Sequence, residues 1–270
     1  MDLSDLNAGG LVLLGCGKMG SALLEGWLKN GVAPASVYVL DPMPSDWLKS
    51  TGVKINQGMP EAPAMALLAV KPQMMGQALP ALQALGGGGT VFVSVAAGTS
   101  LATIEGALGA GTPVVRAMPN TPAAVGRGIT ALIGNAHVPA AALELARVLM
   151  GAVGQTVMLE DEAQMDAVTA VSGSGPAYVF HLIETLAAAG EAQGLSEDLA
   201  LQLARATVAG AGALAEGADE SPGQLRVNVT SPNGTTAAAL AVLMDEESGF
   251  PALLSRAVQA AADRSRELGQ

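Results

Sequence analysis

The feature that most constrains the fold of this sequence is a change of pattern near Glu160. Before that residue, short continuous apolar runs alternate with segments of helical spacing, such as residues 19–30. Such runs are typical of parallel strands that are covered by helices on both faces. They predict an α/β domain with a doubly wound, mostly parallel sheet over residues 1–160, with strands at residues 11–15, 37–40, 53–55, 66–70, 91–95, 114–118, 128–134 and 155–159.

The chain after Glu160 is organised differently. It has no further strand-like run and carries long alanine-rich segments with helical spacing. A change of this kind along a chain indicates a second domain. The sequence therefore predicts an all-α domain over residues 161–270, with helices at residues 176–194, 196–217, 235–247 and 251–268.

The composition narrows the possible partners. Only 14% of the residues are charged, against about 25% in an average globular chain, and 50% are hydrophobic. The formal net charge of −11 repels phosphate backbones and anionic lipids, so neither nucleic acid nor a membrane surface is an expected partner. The low charge and the 34 glycines suggest much buried surface, part of it between subunits.

Neither a targeting signal nor a membrane span is expected. Residues 1–7 contain two aspartates and lack a basic signal-peptide start. The longest uncharged stretch, residues 72–104, is interrupted by Pro80 and by the glycines at 86–89. The single cysteine, Cys16, allows no internal disulfide, and a reducing cytoplasm is the expected location.

The first predicted strand runs into a glycine-rich loop that opens a helix. Gly15, Gly17 and Gly20 stand in a G-x-G-x-x-G frame. The first glycine permits a sharp turn, the second lets a pyrophosphate approach the backbone, and the third allows close packing of helix on strand. The helix start supplies N–H groups and a favourable dipole for the anion. The pattern predicts a dinucleotide-binding Rossmann domain, with a purely structural glycine turn as the alternative.

The second predicted strand ends at Asp41, about 20 residues beyond the glycines, where a carboxylate binds the ribose 2′-hydroxyl of NAD. A carboxylate repels the 2′-phosphate of NADP, and residues 41–46 contain no arginine to offset it. These residues therefore favour NADH. NADPH is the alternative, because Ser45 could bind a phosphate if Asp41 pointed away.

Other reactive side chains have structural explanations. Cys16 fits the glycine loop because it is small, and His137 lies in a polar loop. His181 has apolar neighbours in a predicted helix and is expected to pack in a core. Lys71, followed by Pro72 at a strand end, either terminates the strand or lies beside the cofactor.

The missing residue types are also informative. Lys71 is the last lysine of the chain, and the sequence offers no zinc-ligand spacing and no Ser–His–Asp arrangement. Hydride transfer to a carbon–nitrogen double bond fits this, because the imine nitrogen carries its own proton and the cofactor supplies the electrons. A ketone or alcohol would need a Lys or His to move a proton.

Several blocks resemble pyrroline-5-carboxylate reductases, in the same order and from residue 11 to residue 268. Besides the glycine loop and A-V-K-P, they are V-S-V-A-A-G at 93–98, R-A-M-P-N-T-P at 116–122, V-S-G-S-G-P-A-Y at 171–178, and S-P-G-Q-L-R with V-T-S-P-N-G-T-T within 221–236. The resemblance implies reduction of 1-pyrroline-5-carboxylate to L-proline by NAD(P)H, the last step of proline biosynthesis. It also implies a homodimer through the helical domain, and a ring of such dimers in many family members.

The resemblance assigns site residues. Thr236 would be the catalytic residue, with its hydroxyl placed to hydrogen-bond the ring nitrogen. The substrate carboxylate would be held by Asn228, Ser231, Asn233, Gly234 and Thr235. The cofactor, commonly NADPH in the family, would contact Gly15, Gly17, Lys18, Met19, Gly20, Asp41, Val70, Lys71, Pro72, Ala96, Ala97 and Asn120, and no metal is implied. Residues 172–176 would form the joint to the helical domain.

Physical chemistry supports the substrate site independently, because N–H groups at a helix start and flanking hydroxyls form an anion cradle. The alternative is an ordinary turn with a helix cap at Ser231 or Thr235. Two residues depart from the family pattern. Asn233 stands where Gly is usual, and asparagine tolerates the positive φ of such a turn. Val227 stands where Asp is usual, which removes one possible ion pair.

Three other functions are alternatives. The substrate could be a different cyclic imine. A β-hydroxyacid dehydrogenase shares the two-domain plan, but it needs a lysine on the helix at 176–194, which has none. A non-catalytic dinucleotide sensor would not need the intact S-P-N-G-T-T turn at 231–236.

Overall fold

The computed structural model describes residues 4–269 of the chain. The strands are β1 Leu11–Leu14, β2 Val37–Leu40, β3 Lys54–Ile55, β4 Met65–Leu68, β5 Val91–Ser94, β6 Val114–Met118, β7 Gly128–Gly134 and β8 Gly154–Met158. The α-helices are α1 Ser4–Gly9, α2 Lys18–Lys29, α3 Asp46–Ser50, α4 Met75–Ala78, α5 Leu101–Leu108, α6 Ala140–Gly151, α7 Met165–Val168, α8 Gly175–Ala192, α9 Glu197–Gly217, α10 Pro222–Asn228, α11 Thr235–Leu243 and α12 Phe250–Leu268. Each predicted strand corresponds to one of the strands observed.

The eight strands form one sheet in the order β3-β2-β1-β4-β5-β6-β7-β8. The pairs from β3 to β6 are parallel, β7 is antiparallel to β6, and β8 is parallel to β7. The chain builds outward from β1 through β2 to β3 and then returns to place β4 on the other side of β1. This is the doubly wound order with a switch point between β1 and β4, and it confirms the predicted mostly parallel Rossmann domain.

The sheet separates two hydrophobic cores. In β1, Leu11 and Leu13 belong to one core, and Val12 and Leu14 belong to the other. Side chains of a strand alternate between its faces, so a run that is apolar at every position has both faces buried. Trp27 of α2 is fully buried in the first core, and its indole Nε1 donates to the Leu149 carbonyl at 2.9 Å. The continuous apolar runs of the sequence thus correspond to strands covered on both faces.

The described chain divides into two compact units, residues 4–173 with 262–269, and Ser174–Ala261. The sequence boundary after Glu160 stays a prediction for the domains. Compact packing of the first unit continues to Gly173 because Met165 and Ala170 are buried and the Ser172 carbonyl accepts a hydrogen bond from Asn120. The division after Gly173 falls within the predicted joint at 172–176.

The last turns of α12 pack within the first unit. The buried Ser265 hydroxyl donates to Asp166 Oδ1 at 2.6 Å. Gly98, with a φ of +75°, lies so close to the helix end that an added Cβ would be 3.2 Å from Leu268 Cβ. The loop after β5 therefore has the C-terminal helix end as its neighbour.

The second unit is entirely helical, as predicted. Its small core contains Ala187 of α8 with Ala200 and Ala204 of α9. Helix α10 was not predicted from the sequence. It begins with a Ser–Pro signal, and the Ser221 hydroxyl accepts the N–H of Gln224. The helix predicted to extend to residue 247 ends at Leu243, because Asp245 accepts the N–H groups of the next turn. Across residues 4–269, no helix is long and apolar enough to cross a membrane.

A partly buried ion pair connects three segments of the first unit. Arg116 of β6 donates to Glu162 Oε1 at 2.8 Å, and the same oxygen accepts the N–H of Leu101 at the start of α5 at 2.9 Å. The Arg116 side chain is 9% exposed and that of Glu162 is 29% exposed. Removing one member of such a pair leaves the other without its charge partner.

We expect Arg116→Met to lower the free energy of unfolding by about 2 kcal/mol, because Glu162 would remain partly buried without its cation. The matched control is Lys29→Met, which removes a cation from the exposed pair with Glu25, and it should cost less than about 1 kcal/mol. Urea unfolding at one protein concentration measures both variants. Equal losses in the two variants would contradict a structural role for the Arg116–Glu162 pair.

Candidate functional site

The predicted cofactor residues follow the carboxyl ends of neighbouring strands. Leu14 of β1 lies opposite both Leu40 of β2 and Leu68 of β4, and Leu68 lies opposite Ser94 of β5. The segments after these strands therefore start at one level of the sheet edge, where ligands bind in doubly wound sheets. These segments hold Gly15 to Gly20 after β1, Asp41 after β2, Val70 to Pro72 after β4, Ala96 and Ala97 after β5, and Asn120 after β6.

The three loop glycines have different surroundings. Gly15 has a φ of +86°, and a Cβ there would lie 2.9 Å from Val70 Cγ1. A Cβ at Gly20 would lie 2.6 Å from the Gly15 carbonyl oxygen. Around Gly17, in contrast, a Cβ would meet no described atom within 4 Å outside its chain neighbours. Gly15 and Gly20 thus permit the close approach of helix to strand, whereas Gly17 borders open space.

This loop fits the pyrophosphate of a dinucleotide. Gly17 is the N-cap residue of α2, and no described side chain caps the helix. The first N–H groups of a helix have no partner within the helix, and its dipole favours an anion at this end. The open space at Gly17 lies at this uncapped start. The geometry therefore matches the predicted binding loop.

The Asp41 carboxylate is fixed next to the glycine loop. Its Oδ2 accepts the Cys16 N–H at 2.7 Å, and its Oδ1 accepts the Met43 N–H at 2.7 Å. The backbone of Asp41 is held in turn by the side-chain amide of Asn56. Asn56 was missed by the sequence analysis. The available signal was an asparagine directly after a predicted strand, a residue type that tolerates the positive φ of 52° observed here.

The other cofactor candidates divide into exposed and packed side chains. Lys18 and Lys71 are exposed; Lys18 begins α2, and Lys71 precedes the 3-10 turn Pro72–Met74. Met19 packs against the first core, and Val70 packs against the second. The two lysines are therefore the cationic candidates beside a phosphate-bearing ligand.

The segments after β5 and β6 are more constrained. Ala96 is buried, its N–H donates to the Ser94 hydroxyl, and Ala97 is partly exposed. Asn120 Oδ1 accepts the Ile129 N–H at 3.0 Å, and Asn120 Nδ2 donates to the Ser172 carbonyl at 3.3 Å. The Asn120 side chain thus ties the start of β7 to the end of the first unit. Its predicted place near a nicotinamide stays a prediction.

Cys16, His137 and His181 are not assigned a chemical role in the candidate site. Burial raises the pKa of the Cys16 thiol, so it stays protonated and poorly nucleophilic. His137 lies 3.3 Å from Glu105 in an ion-pair position. His181 was expected to pack in a core, but its side chain on α8 is 74% exposed in the single chain. Among the described residues no group of three or more His, Cys, Asp or Glu side chains could hold a metal ion.

The predicted substrate turn lies in the second unit and opens α11. The Gly234 N–H donates to the Ser231 carbonyl at 3.0 Å, which closes the turn. Asn233 has a φ of +58°, as expected for a residue that replaces glycine. The N-cap residue is Gly234, and no described side chain caps the helix. The alternative of a Ser231 or Thr235 cap is therefore absent, and the first N–H groups of α11 point out of the helix start.

The hydroxyls at this turn differ in exposure. Ser231 and Thr235 are exposed, and Thr236 is half-buried in the first turn of α11. Asn228 ends α10, and its Oδ1 accepts from Gln224 at 2.8 Å, so its amide is partly engaged. The exposed hydroxyls of Ser231 and Thr235 and the open start of α11 can together bind a carboxylate.

Comparisons with known proteins agree with this geometry. Residues 162–268 match the family model described as pyrroline-5-carboxylate reductase dimerisation, and residues 11–98 match that of NADP oxidoreductase, coenzyme F420-dependent. A pyrroline-5-carboxylate reductase of Pseudomonas aeruginosa is 42% identical over 266 residues, which cover 96% of this chain and 97% of the relative.

Two solved structures are also similar. A pyrroline-5-carboxylate reductase from Coxiella burnetii has a TM-score of 0.91 and 34% identity, with 97% of this chain and 99% of the other covered. The Plasmodium falciparum pyrroline carboxylate reductase, solved with NADP bound, has a TM-score of 0.84 and 28% identity, with 97% and 98% covered. The sequence resemblance is thus confirmed, and the chain belongs to the pyrroline-5-carboxylate reductase family.

Proposed function

We propose that this chain reduces 1-pyrroline-5-carboxylate to L-proline with a hydride from NAD(P)H, the last step of proline biosynthesis. The observation that carries the proposal is the uncapped start of α11 after the 231–234 turn, a site built for a small carboxylate. It lies within the residues that match the dimerisation region of this family.

The first unit would hold the cofactor, which supplies the hydride when it is bound. The N–H groups at the start of α2 and the open space at Gly17 would take the pyrophosphate. Lys18 and Lys71 would add positive charge, and Asp41 would take a ribose hydroxyl. The remaining cofactor contacts in this proposal are Gly15, Met19, Gly20, Val70, Pro72, Ala96, Ala97 and Asn120.

The second unit would hold the substrate. The N–H groups of Thr235 and Thr236 and the Ser231 hydroxyl would bind the carboxylate, while Asn233 and Gly234 shape the turn. The Thr236 hydroxyl, half-buried beside this cradle, would hydrogen-bond the ring nitrogen and fix the orientation of the imine. Asn228 would border the cradle. The chain has no lysine after Lys71, and a protonated imine needs none.

The proposal includes a homodimer formed through the helical unit. Its outer surfaces expose large apolar side chains, among them Phe180, Leu203, Leu214 and Leu253. Because the buried core of this unit consists of alanines, these large side chains are not buried in the single chain. A ring of such dimers, implied by the family resemblance, belongs to the same proposal. So does a cytoplasmic location, where the free Cys16 thiol stays reduced.

The direct test measures NADH and NADPH oxidation by purified protein with 1-pyrroline-5-carboxylate, other cyclic imines and β-hydroxyacids in parallel. We expect turnover with pyrroline-5-carboxylate to exceed that with the others. In this assay Thr236→Ala should lower kcat about 100-fold, the scale of losing one well-placed hydrogen-bonding group at the reacting centre. Thr236→Ser keeps the hydroxyl and should retain most activity. A folded protein that binds cofactor but reduces no pyrroline-5-carboxylate would reject the proposal, and full activity in Thr236→Ala would remove Thr236 from it.

The cofactor loop can be tested by binding alone. Gly17→Ala should leave the melting temperature of the protein unchanged, because the added Cβ meets open space, yet weaken NADH binding about tenfold or more by occupying the approach of the pyrophosphate. Gly106→Ala, at another open glycine position on α5, is the control and should bind normally. Calorimetry measures both. Unchanged affinity in Gly17→Ala would place the pyrophosphate elsewhere.

The assembly is tested by Leu203→Glu, which puts a charge on the exposed apolar surface of α9. Burying that charge in an interface is unfavourable, so the average mass in light scattering should fall towards that of one chain. Val125→Glu makes the same change at an exposed apolar residue of the first unit and should leave the mass unchanged. If only the second variant dissociates the protein, the dimer forms through the first unit instead.

A further inference from the structure

The orientation of the Asp41 carboxylate is set by two short hydrogen bonds. The Cys16 N–H lies between Gly15 and Gly17, in the loop assigned to the pyrophosphate, and it donates to Oδ2. The Met43 N–H donates to Oδ1. Rotating the side chain away would break both bonds and leave the Cys16 N–H without this acceptor. The carboxylate therefore stays beside the cofactor loop.

A second side chain holds the backbone of Asp41. Asn56 Oδ1 accepts the Asp41 N–H at 3.1 Å, and Asn56 Nδ2 donates to the Asp41 carbonyl at 2.7 Å. Asn56 is itself fixed by its own N–H, which donates to the Val39 carbonyl at 2.9 Å. One amide thus binds both polar groups of the Asp41 backbone. Asn56 is a positioning residue that acts through Asp41.

The surroundings of Asp41 offer few groups that could bind the 2′-phosphate of NADPH. The first arginine of the chain is Arg116, in β6. Lys49 pairs with Asp46 at 3.0 Å, and Lys54 bonds the Tyr38 hydroxyl at 2.7 Å while lying over its ring. The hydroxyl considered as a phosphate ligand, that of Ser45, accepts the N–H of Leu48 as the cap of α3. A 2′-phosphate here would meet a fixed carboxylate and no arginine.

We propose that the Asp41 carboxylate, held by the Cys16 N–H and the Asn56 amide, makes this enzyme selective for NADH over NADPH. Each carboxylate oxygen accepts one backbone N–H and keeps a further lone pair for the ribose 2′-hydroxyl. A phosphate in place of that hydroxyl brings two like charges together, and no arginine precedes Arg116 in the chain to pair with it. The inference rests on the proposed function, since it concerns the cofactor of the same reaction.

The test measures dissociation constants for NADH and NADPH by calorimetry on the full-length protein, without substrate. Wild type should bind NADH at least about tenfold more tightly than NADPH. Asp41→Ala should weaken NADH binding, strengthen NADPH binding and remove most of this preference. Glu61→Ala makes the same charge change at an exposed surface position and should leave the ratio unchanged.

Asn56→Gly tests the positioning residue, because glycine accepts the φ of 52° and only the amide is lost. The ratio of the two affinities should fall about threefold or more, roughly the loss of one hydrogen bond. A purely structural role would weaken both cofactors equally and leave the ratio unchanged, which would reject the role of Asn56. Asp41→Ala decides the carboxylate independently if Asn56→Gly fails to fold.

The outcomes separate this inference from the proposed reaction. Turnover of pyrroline-5-carboxylate together with tighter binding of NADPH than of NADH would overturn the inference alone. Selective NADH binding by a protein that reduces no pyrroline-5-carboxylate would overturn the reaction and support the inference. An unchanged affinity ratio in Asp41→Ala would also overturn the inference, whatever the wild-type preference.

Discussion

The close packing of Gly20 against the Gly15 carbonyl is the contact on which the edge with the predicted cofactor residues depends. A Cβ at Gly20 would come within 2.6 Å of that oxygen, so only glycine lets α2 begin directly at the end of β1. The helix start then lies at the switch point of the strand order. Because the parallel register ends β2, β1, β4 and β5 at one level, segments that are far apart in the chain share the edge at which α2 begins.

Much of this fold could be predicted from periodicity, because strands buried on both faces leave an unambiguous apolar signal. Elements whose position depends on single hydrogen bonds were harder to predict from the sequence. The helix α10 depends on the Ser221 cap, and the role of Asn56 depends on contacts to a residue on a different strand. His181 was misjudged because apolar neighbours along a helix do not show which of its faces is buried in the single chain. The turn proposed for the substrate could be predicted because its chemistry is local: hydroxyls, a positive-φ residue and a helix start lie within one short segment.

The two units bury apolar surface to different extents. The first has two cores on either side of a sheet, and most of its large apolar side chains are buried. The second buries mainly alanines and leaves many leucines and phenylalanines exposed. Such a helical unit obtains little stability from its own core, so most of its apolar surface is available for association. The large exposed apolar surface of the second unit also explains why only 14% of the residues of the chain are charged.

The packing of residues 262–269 into the first unit has a consequence for synthesis on the ribosome. Ser265 binds Asp166, and the end of α12 lies against Gly98, so the unit that begins the chain contains its last helical turns. Domains usually fold as they emerge, the N-terminal one first. Here the sheet can form early, but the loop after β5 meets this neighbour only after residues 262–268 have been made. The sheet edge that carries the predicted cofactor residues is therefore completed late, after the intervening helical segment has been made.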